Sequence, residues 1–167
     1  AMAQPPALTE WDLEGFCARH GVPARLHPLD VPTPTVPDAA KAVGTEPARI
    51  VKSLVFMARE EPLLVVAAGE SRVSYPALAT VLGVSRKQLR FATPDEALLI
   101  TGFRVGAMPP FGHRVELPTW LDALTVPETG SVFAGGGGVS ALLELDAAVL
   151  HEVTGGRRVP LTRADEA

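Results

Sequence analysis

Lys52 is the one charged residue in the otherwise mostly apolar run Ile50-Val51-Lys52-Ser53-Leu54-Val55-Phe56. β-Branched and aromatic residues without Gly or Pro mark a buried strand, and Pro62 follows soon after. An ammonium is costly to bury without a partner. Lys52 therefore either reaches water from a strand edge along its apolar stem, or points into a pocket where an anion or carbonyl oxygens meet it. A second unusual segment runs from Gly102 to Gly112, with three glycines and two prolines in eleven residues. Glycine admits close backbone approach, and Pro109-Pro110 stiffen what the glycines loosen. A rigid loop that exposes N–H groups suits the polarisation of an ester carbonyl; a structural turn is the alternative. Gly135 to Gly138 is a third such segment, readable as an anion-binding turn or as a flexible hairpin.

Other chemistries lack their residues. His20, His27, His113 and His151 are far apart, with no HxxxH or HxH pair, so no metal site is expected. There is no GxSxG elbow, no GxxxxGK[ST] phosphate loop and no GxGxxG after a strand. Cys17 is the single cysteine, which excludes an internal disulfide. It shares a helix face with Leu13 and Phe16 and reads as a core residue, not a nucleophile.

The elements that must position these residues follow from local signals. Thr9 caps a helix over Glu10 to His20, with Asp12 completing an acidic capping box and Gly21 as the stop. Ala24 to Leu29 reads as a strand, and the Pro-rich segment Asp30 to Pro37 leads to a short helix, Asp38 to Val43. The Lys52 strand and Leu63 to Ala68 flank Arg59-Glu60-Glu61-Pro62, the pattern of a hairpin. Ser74 caps a helix through Leu82, Ser85 a shorter one, and Thr93-Pro94-Asp95-Glu96 opens a helix that ends near Gly102. His113 to Leu117, Ser131 to Ala134 and Val139 to Leu145 are expected strands. Asp146 caps a last helix to about Val153, and the tail from Gly155-Gly156 onward reads as peripheral. Hairpins mixed with helical crossovers predict an α/β (mixed α+β) domain around a curved mixed sheet flanked by short helices.

Composition sets the outer bounds. With 167 residues, 47% of them hydrophobic, and a mean hydropathy of +0.20, the chain suits one packed domain over residues 1–167. Ala1-Met2 reads as an expression scar outside the fold. No apolar run approaches the roughly 18 residues of a membrane span. No basic region precedes an apolar stretch at the N-terminus, so no signal peptide and a cytoplasmic location are expected. The net charge of −4 argues against non-specific coating of nucleic acid. Gripping only a nucleic-acid end stays open, because Arg86, Lys87 and Arg90 cluster within five residues and Arg157-Arg158 are adjacent.

Taken in order, several segments resemble the YbaK/prolyl-tRNA synthetase-associated editing family over about Val22 to Val153. They are Thr35 through Ala39-Ala40 to Gly44, the Lys52 strand, the helix end TPDEALLITGF, the loop Gly106-Ala107-Met108-Pro109-Pro110-Phe111-Gly112, and Val132-Phe133-Ala134-Gly135-Gly136. The resemblance implies a free-standing aminoacyl-tRNA deacylase with no metal, no cofactor and no obligate protein nucleophile. It aligns Lys52 with the family's essential lysine and Gly106 to Pro110 with its GxxxP loop. Lys52, Gly106 and Pro110 are thereby the expected catalytic positions, and Thr35, Ala107, Met108, Gly135 and Gly136 the expected substrate contacts. The implied substrate is the 3′ end of an aminoacyl-tRNA, tRNA(Pro) foremost, carrying a small non-cognate amino acid, with a synthetase as a conceivable partner. The turn Ala134 to Gly138 offers no polar side chain, so the amino acid is not assigned, and neither is the oligomeric state. The alternative is a non-catalytic module that docks an aminoacyl or nucleotide end.

Overall fold

The computed structural model describes residues 5–163; Ala1 and Met2 lie outside the described residues, as do residues 164–167. Helix α1 (Glu10–His20) begins with the expected reciprocal cap: Thr9 N–H donates to Asp12 Oδ2 at 2.8 Å, and Trp11 N–H donates to Thr9 Oγ1. Gly21, at φ +62°, closes it. Strand β1 (Ala24–Pro28) leads to α2 (Val36–Val43). This helix starts two residues before the expected Asp38. Thr35 is its cap and Pro37 sits in the first turn, where a missing N–H leaves no bond unmade.

Strands β2 (Val51–Ala58) and β3 (Glu61–Ala68) pair antiparallel in one hairpin, with Lys52 opposite Ala67. The turn is tighter than expected: Arg59 and Glu60 alone form it, both with positive φ (50° and 63°), the geometry that matches strand twist. Then follow β4 (Arg72–Val73), α3 (Tyr75–Leu82), β5 (Leu89–Phe91) and α4 (Pro94–Thr101). The caps Ser74 and Thr93 are as expected. The last elements are β6 (Thr119–Asp122), β7 (Ser131–Gly135), β8 (Ala141–Asp146), α5 (Ala147–Thr154), β9 (Arg157–Val159) and β10 (Thr162–Arg163).

These strands form a mixed five-stranded sheet in the order β5-β2-β3-β6-β9, an antiparallel three-stranded sheet β1-β8-β7, and the pair β10-β4. The β3–β6 and β6–β9 pairings are parallel. Strand β3 is apolar at every position from Leu63 to Ala68 because both of its faces are covered. Leu64 and Val66 join the main core with Leu121, Val132 and Leu143; Leu63 and Val65 join a second core with Phe56, Leu78 and Leu161. The architecture is the expected mixed α/β type.

Two expectations are corrected. His113 to Leu117 is not a strand: Arg114, Val115 and Glu116 are exposed in irregular chain, and the strand comes later, at β6. Alternating polarity there marks solvent exposure without a pairing partner. The tail is not peripheral either, since β9 and β10 pair within sheets and Leu161 is fully buried. The fully buried Asp122 holds it. That carboxylate accepts from Leu161 N–H (2.8 Å), Thr162 Oγ1 (2.7 Å) and Thr125 Oγ1 (2.5 Å).

Candidate functional site

The ladder from β2 to β5 covers only Phe56 to Ala58, so residues 51–55 of β2 pair with no strand on that side, and just before them Ile50 makes a single parallel bridge to Phe133 of β7. A cavity of about 270 Å³ occupies this place. Its walls are the start of α2, Ile50 with residues 51–54 of β2, the loop at Val105, Gly106 and Met108, and the facing ends of β7 and β8. Apolar side chains dominate the lining, among them Ile50, Val51, Met108 and Leu142.

Lys52 stands at the boundary of this cavity and of a second, more open one beyond it. Its Nζ donates to the Ser71 carbonyl oxygen at 2.5 Å, and Ser71 Oγ donates in turn to the Ala68 carbonyl oxygen at 2.7 Å. The turn after β3 therefore fixes the ammonium. Lys52 is half-buried, so both readings made from the sequence hold in part: it lies at a strand edge and it lines a pocket.

Gly106 is exposed at φ +90°, and a Cβ built there would meet nothing within 4 Å. Positive φ is the reason for glycine at this position. In the same loop Ala107 N–H donates to the Arg104 carbonyl oxygen. Among the described residues the Val105, Gly106 and Met108 amides, all on the cavity lining, enter no backbone hydrogen bond. Pro109 and Pro110 are buried, and the His113 ring meets the Pro109 carbonyl oxygen at 2.8 Å. Burial holds the His113 pKa below its usual value.

The glycine turn packs closely against neighbouring backbone. Gly137 N–H donates to the Ala107 carbonyl oxygen and Gly136 N–H to that of Ala141. A Cβ on Gly135 would lie 2.2 Å from the Met108 carbonyl oxygen, and one on Gly136 would lie 2.6 Å from the Ala141 backbone. These glycines let the turn lie directly against its backbone neighbours, and Gly135 and Gly137 seat the 106–108 loop.

Of the residues expected at the site, Lys52, Thr35, Gly106, Met108 and Gly135 line one cavity. Ala107 and Gly136 do not line it; they form the layer that supports it. Pro110 lies away from it, lining a separate groove of about 640 Å³ with Phe16 and His113. The Thr35 hydroxyl is engaged in its own cap, donating to Asp38 Oδ2 at 2.7 Å. Sequence reasoning missed Ser53. Its Oγ is buried against this cavity without a hydrogen-bond partner among the described residues. The signal was a second polar residue in the Lys52 strand, but its lack of a partner is a tertiary fact. Cys17 is buried, and burial together with nearby Glu14 raises its thiol pKa, which suits a core residue.

Comparison with known proteins agrees with this fold. A crystal structure of a candidate trans-editing enzyme for prolyl tRNA synthetase superposes with a TM-score of 0.84 at 32% identity, over 93% of this chain and 97% of that one. YwhH of Bacillus subtilis, an uncharacterized protein, is 30% identical over 119 residues, 71% of this chain and 73% of its own length. The proline–tRNA ligase of Thermotoga neapolitana is 33% identical over 93 residues, which is 53% of this chain and only 16% of the ligase. Residues 30–165 match the model of the aminoacyl-tRNA editing domain. The chain belongs to that family, the YbaK family of editing domains.

Proposed function

We propose that this protein is a trans-editing deacylase that hydrolyses the ester between a small non-cognate amino acid and the terminal ribose of a tRNA, tRNA(Pro) foremost. The observation that carries the reading is the convergence of Lys52, the Gly106 and Met108 backbone and Ser53 on one small cavity in a chain of the editing family. A volume of about 270 Å³ with a mainly apolar lining suits a small uncharged side chain better than a large or charged one.

In this reading water attacks the ester carbonyl carbon. The carbonyl oxygen takes the electron pair and is met by the Gly106 and Met108 amides, a role worth roughly 3–4 kcal/mol per donor. Collapse of the tetrahedral species breaks the bond to the ribose oxygen, which leaves with a proton. The products are the free amino acid and deacylated tRNA. Lys52 supplies positive charge beside the terminal ribose and phosphate, and the neighbouring ribose hydroxyl orients the water. Editing by hydrolysis suits this discrimination, because rejecting one methylene by binding alone gives only about 10–200-fold.

The reading makes residues 1–167 one functional unit, working in the cytoplasm on the charged product of a synthetase. A non-catalytic docking module was the alternative, and the bare glycine turn was its support. The contacts of Gly135 to Gly137 with neighbouring backbone give that turn a packing reason instead. A screen of tRNAs charged with alanine, serine, cysteine and proline, following release of amino acid over many turnovers, tests the reading. Multiple turnovers on one small residue support it; stoichiometric binding without release supports the docking module.

A further inference from the structure

Lys52 also lines a second cavity of about 550 Å³ on the α3 face of the five-stranded sheet. This groove carries Lys52, Arg72, Arg86 and Arg163, and among the described residues that line it none is a carboxylate, although the chain as a whole has a net charge of −4. Aromatic rings lie between the cations. Phe91 is 41% exposed and packs on the buried Phe56 with ring centroids 5.1 Å apart. Tyr75 meets Phe56 edge-on from the other side at 5.5 Å, and the Arg86 guanidinium lies 4.3 Å over the Tyr75 ring. A buried phenylalanine thus props up two outer rings, and cations flank them.

We propose that this groove binds the single-stranded nucleotides that precede the terminal residue of the charged RNA. Phe91 and Tyr75 serve as stacking platforms, and Arg86, Arg72 and Arg163 meet the phosphates. Flat rings interleaved with cations suit bases and phosphates together, whereas an acidic peptide would use the cations alone. Lys52 and Leu54 line both cavities, so a strand in the groove leads directly to an ester in the smaller cavity. The inference rests on the deacylase reading for the identity of the RNA, but its test does not require hydrolysis.

The probe is a 5′-fluorescent single-stranded RNA oligonucleotide ending in CCA, followed by anisotropy with the full chain across a salt series. Phe91→Ala is expected to weaken binding roughly 5- to 150-fold, the range for losing one stacked base. Arg163→Gln is expected to make the slope of log affinity against log salt shallower by about 0.7. Lys87→Gln, which removes an exposed charge beside Arg86 but outside the groove, keeps the wild-type affinity. Absence of binding by the wild type, equal effects of all three substitutions, or equal affinity for a polyglutamate peptide overturns the assignment. A wild type that binds the RNA through the groove but releases no amino acid leaves the groove standing and removes the deacylase reading. A wild type that deacylates while Phe91→Ala and Arg163→Gln bind normally removes the groove alone.

Discussion

A Cβ on Gly135 would sit 2.2 Å from the carbonyl oxygen of Met108, so the end of β7 and the loop that carries Gly106 are fitted backbone to backbone. The contact passes the position of one sheet directly to the loop that lines the candidate site. It also separates two glycines that look alike in the sequence. Gly135 is required by what lies next to it, and Gly106, at φ +90° with open space around it, by its own conformation.

That difference predicts opposite signatures. Gly135→Ala forces the Met108 backbone to move, so melting temperature and deacylation fall together. In Gly106→Val the added Cβ meets no neighbour, and the strain of a side chain at positive φ, on the order of 1–2 kcal/mol, is relieved by a local shift that moves the Gly106 amide. The variant's turnover is expected to fall about 10²–10³-fold, the scale for losing one oxyanion donor. Thermal melts beside initial rates check the pair; a Gly106→Val protein that loses activity only in proportion to its unfolding makes this loop a structural turn.

Ser53 gives a prediction of the other sign. Its buried hydroxyl has no partner among the described residues, and such a group carries a penalty of about 1–3 kcal/mol. Ser53→Ala is therefore expected to melt at or above the wild-type temperature while its KM for charged tRNA rises. A clear drop in melting temperature with unchanged KM would mean that the hydroxyl serves the fold.

Asp122 is expected to be the most sensitive polar residue for stability. Asp122→Ala leaves Leu161 N–H, Thr162 Oγ1 and Thr125 Oγ1 without their shared acceptor in a fully buried place. Each orphaned donor costs about 1–3 kcal/mol where water cannot replace the acceptor. Chemical denaturation should show a loss of several kcal/mol, and hydrogen exchange should rise first in β9 and β10. Wild-type protection of those strands in the variant would show that their packing suffices without the carboxylate.

The acid limb of stability should depend on Glu96. Arg90 grips its carboxylate through two hydrogen bonds of 2.7 Å, and Thr93 N–H donates to it as well, which together lower its pKa from 4.5 to about 2. A depressed folded-state pKa means that the unfolded chain takes up the proton first. The contribution is complete above about pH 4.5 and disappears as the pH falls through about 2. Melting temperatures of wild type and Glu96→Gln should differ above pH 4.5 and converge toward pH 2. A gap that stays constant over this range assigns the difference to packing.

What the sequence made legible was local. Thr9, Ser74, Thr93 and Asp146 announce their helices because a cap is read from neighbouring residues. Lys52 stood out because one cation among apolar neighbours violates the pattern of its own strand. What stayed hidden was set by partners distant in the chain. Residues 157–163 read as a polar tail because their place depends on Asp122, about 40 residues away, and on strands β4 and β6. The four glycines read as an anion-binding turn or a flexible hairpin, because the Met108 backbone that Gly135 lies against is distant in the chain. Gly106 and Pro110 belong to one GxxxP segment, yet they line different cavities, a separation that the spacing of the motif does not show.

The central claim is that Lys52 and its cavity form a hydrolytic site. The most direct measurement is multiple-turnover release of amino acid from mischarged tRNA(Pro) by wild type and Lys52→Ala, with thermal melts of both. The account predicts that Lys52→Ala loses turnover by at least two orders of magnitude. It also predicts that the variant still melts cooperatively, with a melting temperature lowered by several degrees through loss of the hydrogen bond to the Ser71 carbonyl, which is worth about 1.5–3 kcal/mol from a charged donor. Wild-type turnover in a folded Lys52→Ala protein would contradict it.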